Sequence, residues 1–271
     1  MDRKTILITG STDGVGRRVA ERLAADGMTI LAHGRDAARG EQVLAALRKA
    51  GATAMFYQAD LSSLAEVRKL ASAVHKDHPW IDVLVNNAGI GGGGAGATRQ
   101  QSQDGHELRF AVNYLAGFLL TYLLMPLLKG AGNARIVNVA SLGQQAIEFD
   151  DVMLTRGYSG ARAYRQSKLA QIMFTIDLAH ELNASDLTAN CLHPATYMDT
   201  TMVRASGISP ASTVDQGADA ILHLVTGADM QGKSGLFFNG LHEARADAQA
   251  YDATARVKLR KLSFELAGLP G

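Results

Sequence analysis

Apolar and polar positions follow two rhythms along this chain. Short β-branched or apolar runs occur at Thr5–Thr9, Met28–Ala32, Thr53–Gln58, Val83–Asn86, Arg135–Val139, Thr188–Leu192 and Gly235–Phe238. Between them, longer windows near 15–26, 37–50, 63–77, 105–128, 160–183 and 213–226 carry helical spacing. Apolar strands separated by helices predict βαβ units with right-handed crossovers. The expected fold is α/β, a Rossmann fold with a doubly wound, mostly parallel seven-stranded sheet and helices on both faces. No repeat, linker or charge block divides residues 1–271, so a single domain is expected, ending in a helical tail at about 245–267.

Two segments break the rhythm. Gly91-Gly-Gly-Gly-Ala-Gly96 follows the fourth strand and reads as a loop. Residues 195–212, with Ser206, Gly207, Ser209 and Pro210, form a long connection after the sixth strand. It leaves the carboxyl edge of the sheet, where open α/β folds bind ligands, and reads as a substrate loop.

Composition adds boundaries. Of 271 residues, 47% are hydrophobic and 20% charged, enough for a sizeable core. A formal net charge of +1 gives no reason to expect nucleic acid or an anionic membrane as partner. The single cysteine, Cys191, excludes an intrachain disulfide, fits a reducing compartment, and reads as a buried structural thiol. The N-terminus runs straight into a strand pattern, leaving no room for a signal peptide. The apolar run Leu115–Leu128 is shorter than the roughly 20 residues a bilayer requires. A cytoplasmic protein is the resulting expectation. The histidines show no metal-ligand spacing, and no metal is expected.

The chemistry begins at Ala163-Tyr-Arg-Gln-Ser-Lys-Leu-Ala170, where Tyr164 and Lys168 share one face of a helix. A lysine charge favours the phenolate, so the pair suits acid–base work. Such pairs are also common on solvated helix faces, and upstream residues decide the matter. Thr9-Gly10-Ser11-Thr12-Asp13-Gly14-Val15-Gly16 follows the first strand and opens the first helix, the context of a dinucleotide-binding turn. At the end of the second strand, Gly34 stands where a ribose-binding acid would favour NAD, and Arg35 offers a partner for a 2′-phosphate. NADP(H) is preferred on this reading, with NAD(H) possible because Asp36 lies one residue away; Asp36 also suits a helix N-cap. Arg17 reads as a surface cation.

Taken in order, Thr9-Gly10-x3-Gly14-x-Gly16, Asp60-Leu61, Asn86-Asn87-Ala88-Gly89, Asn113, Ser141, Tyr164-x3-Lys168 and His193-Pro194 make the chain resemble the short-chain dehydrogenase/reductase family over almost its whole length. Glu148-Phe-Asp-Asp151, Gln166-Ser-Lys-Leu-Ala170 and the ending Leu262-Ser-Phe-Glu-Leu-Ala-Gly-Leu269 further resemble its retinol-dehydrogenase-like branch. The resemblance implies that Asp60 contacts the adenine amino group with Leu61 beside the base. It implies that Asn87, Ala88 and Gly89 support the sheet and line the adenosine side. Asn113 would kink its helix and hold a water that relays protons to Lys168. Ser141 would bond the substrate oxygen and Tyr164 would exchange its proton. Lys168 would bind the nicotinamide ribose and depress the Tyr164 pKa.

One departure stands out. The family's Pro-Gly after the sixth strand is Pro194-Ala195 here, followed by Thr196-Tyr-Met-Asp-Thr200. A methyl group at Ala195 is expected to shift a backbone that approaches the nicotinamide carboxamide, and either Thr196 or Thr200 would bind that group. The Ser141–Tyr164 separation is also longer than the family's usual one. Gln144, Gln145, Tyr158, Tyr197, Met198 and Met202 are expected to bound a mainly apolar substrate pocket, with Arg204 solvated. The reading is an NADP(H)-dependent oxidoreductase interconverting an alcohol with a ketone or aldehyde, the small-molecule substrate being apolar or aromatic. The alternative is a catalytically idle NADP(H)-binding sensor or scaffold. The family further implies a homodimer or homotetramer formed through the helices at 105–128 and 160–183.

Overall fold

The computed structural model describes residues 3–94, 96–182 and 186–270. Residues 95 and 183, the first within the expected glycine loop and the second at the end of an expected helix, lie outside them. Strand and helix alternate from β1 (Thr5–Ile8) and α1 (Gly14–Ala25) through β2 (Thr29–Gly34), α2 (Ala37–Lys49), β3 (Thr53–Gln58) and α3 (Leu64–Asp77) to β4 (Val83–Asn86). The second half runs α4 (Ala116–Gly130), β5 (Arg135–Val139), α5 (Gly160–Glu181), β6 (Thr188–His193), α6 (Thr201–Ala205) and α7 (Val214–Thr226). It closes with β7 (Phe237–Asn239), β8 (His242–Ala244) and α8 (Ala253–Ala267).

The strands form one eight-stranded sheet in the order β3-β2-β1-β4-β5-β6-β7-β8. All pairs are parallel except β7–β8. The eighth strand is a difference from the seven expected. His242-Glu-Ala244 is short, polar and exposed, so it carries no apolar run. The tail is likewise shorter as a helix than expected: α8 starts at Ala253, after a 3₁₀ turn at Ala248–Tyr251.

The central strands are apolar because both faces are covered. Ile6, Val83 and Val85 face a layer with α1, α2 and α7, while Leu7, Leu84 and Ile136 face one with α3, α4, α5 and α8. Side-chain caps start the helices: Asp13 accepts from Gly14 N, Ser63 from Glu66 N and Ser159 from Arg162 N. The chain reverses its direction of travel across the sheet between β1 and β4, and the carboxyl ends of those strands open the ligand crevice.

The helical segment Phe110–Gly130 has 21 residues and is long and apolar enough to cross a membrane, longer than the apolar run alone implied. Most of its apolar window is buried, as in a core helix. Its first turn, Phe110–Leu115, is π-helical.

The tail covers the outer faces of α4 and α5, the surface expected to meet another subunit. Phe264 stacks edge-on against Phe118 with centroids 5.3 Å apart, and against Tyr122 at 4.9 Å. Tyr114 and Ser263 share a buried hydrogen bond of 2.6 Å, and Arg260 pairs with Asp177 and Glu181.

Candidate active site

One cleft of about 860 Å³ opens over the carboxyl ends of β1, β4, β5 and β6. Every residue expected at the cofactor lines it except Ser11. Of the expected catalytic residues Ser141, Tyr164 and Lys168 line it, and of the expected substrate residues Ser141, Tyr197, Met198 and Met202 do.

The glycine-rich turn is shaped by close approach. Gly14 has φ +56, the left-handed region that favours glycine. A Cβ on Gly16 would sit 2.3 Å from Asn87 Nδ2 and 2.5 Å from the Gly10 carbonyl oxygen. Asn87 stitches this turn to the end of β4: its Nδ2 donates to the Thr9 and Gly10 carbonyls at 2.9 and 3.2 Å. Ser11 points inward instead, its Oγ accepting from His33 N at 2.9 Å. Sequence alone cannot separate Ser11 from its neighbours, because which face of a turn meets solvent is decided by β2.

His33 completes this lacing. Gly10 N donates to its Nδ1 at 3.1 Å, which leaves Nε2–H to donate to the Ala59 carbonyl at 3.2 Å. Burial holds the imidazole neutral, with a pKa lowered to about 4. The unfolded chain therefore takes up a proton between about pH 6.5 and 4 that the folded chain refuses. The contribution is full above pH 6.5 and is lost as pH falls through 4, at most about 3 kcal/mol. We expect the stability difference between wild type and His33→Gln, from urea melts, to shrink by about 2 kcal/mol from pH 7.5 to pH 4.5. An unchanged difference would refute the assignment.

At the ribose end, Gly34 leaves room for Thr12, whose Cγ2 would lie 2.6 Å from an added Cβ. Asp36 is the N-cap of α2, accepting from Arg39 N at 3.1 Å. Arg35 lines the cleft, as does Arg39, whose guanidinium lies 3.6 Å from Asp13. Arg39 escaped the sequence reading; a cation one turn into the helix after the second strand was its only signal. Arg17 pairs with Glu21 on the surface.

At the reactive end, the expected kink at Asn113 is the π-helical turn, an identifiable cause of helix bending. Asn113 Oδ1 accepts from Ile90 N at 2.7 Å, and its Nδ2 donates to the Ile90 carbonyl and to Ser167 Oγ at 2.9 Å. Ser167 passes the contact on, donating to the Tyr164 carbonyl at 2.7 Å. Asn113 thus clamps the loop after β4 to α5. Ser141 Oγ accepts from Gly143 N at 3.0 Å and lines the cleft beside Tyr164.

Burial raises the Tyr164 pKa; the Ser141 hydroxyl opposes this and the neighbouring Tyr197 phenol adds to it. The Lys168 ammonium lies 5.9 Å from the Tyr164 ring centroid and donates to the Val139 carbonyl and Gln171 Oε1, each at 2.8 Å. Burial also lowers Lys168 itself to about 7. Cys191 is buried on β6, its thiol raised to about 12 and unreactive.

Three expected pocket residues lie elsewhere. Gln144 donates to the Ser141 carbonyl at 2.8 Å and accepts from Asp247 N, and Gln145 stands half-buried outside the lining. Tyr158 is tied to a buried Glu107–Arg109 pair. In their place Ile90, Val112, Leu142 and Ile208 make an apolar wall. Arg204 pairs with Asp199 at the surface.

The loop after β6 accommodates Ala195 without a left-handed backbone; that conformation falls on Tyr197, at φ +46. Thr196 bonds His193 at 3.1 Å, and Thr200 caps α6 while its methyl lies against Gly14. Among the described residues no group of His, Cys, Asp and Glu could hold a metal ion.

The family model for short chain dehydrogenase matches residues 4–209. The chain is 33% identical to retinol dehydrogenase 14 of Homo sapiens, over 99% of this chain and 88% of that protein. A solved short chain dehydrogenase from Salmonella enterica serovar Typhi superposes with a TM-score of 0.73 at 26% identity, covering 89% of this chain and 96% of that one. One from Escherichia coli, complexed with NADPH, gives the same score and identity and covers 89% and 97%.

Proposed function

The chain belongs to the short-chain dehydrogenase family, in its retinol-dehydrogenase-like branch, as an NAD(P)-dependent oxidoreductase of alcohol and carbonyl groups; from that premise we propose that it prefers NADP(H) and uses Tyr164 as its general acid and base. The observation that carries this reading is the placement of Tyr164 and Ser141 side by side in the cleft whose opposite end is walled by Arg35 and Arg39.

The residues present fit such a cofactor. Gly14 and Gly16 make a cradle at the N-terminus of α1 that a Cβ would obstruct, suited to a pyrophosphate. No carboxylate occupies the end of β2, and two guanidinium groups stand near it for a 2′-phosphate. The bound nicotinamide would supply or accept the hydride.

Ser141 orients the substrate oxygen, and Tyr164 gives it a proton as a carbonyl is reduced. A phenol whose pKa burial has raised stays protonated at neutral pH, the form that reduction needs. The Ile90, Val112, Leu142, Met202 and Ile208 side chains form an apolar lining suited to an apolar or aromatic substrate.

Binding and turnover test this directly. NADPH is expected to raise the melting temperature more than NADH at equal concentration. Arg35→Ala with Arg39→Ala should weaken NADPH by roughly 10- to 100-fold and leave NADH nearly unchanged, as for lost charge-assisted bonds. NADPH absorbance should fall with apolar aldehydes or ketones. Equal binding of both cofactors in wild type and variant would overturn the preference.

A further inference from the structure

Lys168 is a buried ammonium, and an ammonium has three N–H donors to place. One meets the Val139 carbonyl at the end of β5 and one meets Gln171 Oε1, each at 2.8 Å. The third is left for the cleft side, where an added Cβ on Gly89 would lie 3.6 Å from Nζ. Gln171 lies three residues further along α5, on the same face as Lys168, and is buried. Its own backbone is held in turn: Thr175 Oγ1 donates to the Gln171 carbonyl at 2.7 Å and accepts from Asn138 Nδ2 at 2.8 Å.

We propose that Gln171 is a positioning residue for Lys168, its amide oxygen holding the charged ammonium so that one N–H faces the cofactor ribose. The proposal rests on the reading of Tyr164 and Lys168 as the reacting pair.

The electrostatics favour this role. Burial disfavours the charge on Lys168, and no carboxylate among the described residues offsets it. Its titratable neighbours are Tyr164 on α5, its ring centroid 5.9 Å away, and His193 at the end of β6, a neutral imidazole lowered to about 4. Cys191, also on β6, is a protonated thiol that meets Thr175. The loop after β4 and the π-helical turn present neutral Gly89 and Asn113. The Val139 and Gln171 oxygens are therefore the groups that stabilise the ammonium over the amine.

The test reads Lys168 in the cofactor-free protein by carbon-13 NMR of labelled lysine, its resonance assigned with Lys168→Arg. Gln171→Leu keeps the volume but removes the acceptor, and should lower the midpoint by about one pH unit; Gln171→Glu adds a countercharge and should raise it by about as much. The high-pH limb of kcat/KM for carbonyl reduction should move in the same two directions. The NADPH dissociation constant of Gln171→Leu should rise about 3- to 10-fold above neutral pH, the loss of roughly one hydrogen bond. Midpoints that stay put or move together in both folded variants overturn the proposal. Tyr164→Phe separates the two failures: full activity there removes the acid–base reading itself, whereas an inactive Tyr164→Phe with unmoved midpoints removes only the role of Gln171.

Discussion

Tyr164→Phe should lower kcat for carbonyl reduction by about 10²–10⁴, the contribution of a positioned acid. Only a hydroxyl is lost. The ring keeps its place in α5, one turn before Lys168, so the fold and the cofactor turn are untouched. On the proposed reading, what disappears is the proton source beside Ser141 in the cleft. NADPH binding, followed by fluorescence, should stay within about threefold of wild type, because the lost hydroxyl serves the substrate oxygen. A variant that turns over at wild-type rate would assign the proton to another group. Silence of both proteins over a broad panel of carbonyls and alcohols would favour a binding protein without turnover.

The second large effect is on stability. Glu107→Ala should cost about 3–5 kcal/mol, as breaking a buried ion pair does. Glu107 and Arg109 are both buried, 3.5 Å apart, and each makes further hydrogen bonds. Glu107 accepts from Tyr158 at 3.0 Å and from Phe110 N, the start of the π-helical turn, at 2.8 Å. Arg109 donates to Tyr158 at 2.7 Å and to the Gly91 carbonyl at 3.0 Å. Removing the carboxylate strands the guanidinium and releases the turn that carries Asn113. A drop in melting temperature on the order of 10 °C should result. Glu107→Gln keeps the side chain's shape and one of the two acceptor oxygens and should cost less than Glu107→Ala. A Glu107→Gln variant as stable as wild type would show that charge plays no part.

The elements legible in the sequence are those whose local pattern and tertiary role agree. Val83–Asn86 and Arg135–Val139 have the same bounds in both readings, because strands covered on both faces read as apolar runs. β8 has no such pattern, since its residues are exposed and its place is set by pairing with β7. The π-helical turn is equally silent: its apolar residues would fit an α-helix as well.

In the site, residues fixed by short spacing were readable and those fixed by distant partners were not. Tyr164, Lys168 and Gly10–Gly16 belong to the first kind. Gln144 was drawn toward the pocket by its polarity, yet its partner is Asp247, far along the chain. Ser167 and Gln171 sit within or beside the Tyr164–Lys168 motif, but α5 is buried around most of its circumference and offers no polar stripe to mark them.

The cover over α4 and α5 has a consequence for how the molecule is made. Synthesis runs from the N-terminus, so both helices emerge before residues 253–267 exist. Through that interval Phe118 and Tyr122 lack the Phe264 ring that later packs on them, an exposed apolar surface of the kind chaperones hold. The helix that bears Tyr164 is complete early and secured last. Nascent chains stopped before α8 should remain bound to chaperones although every residue of the cofactor cleft has already been translated.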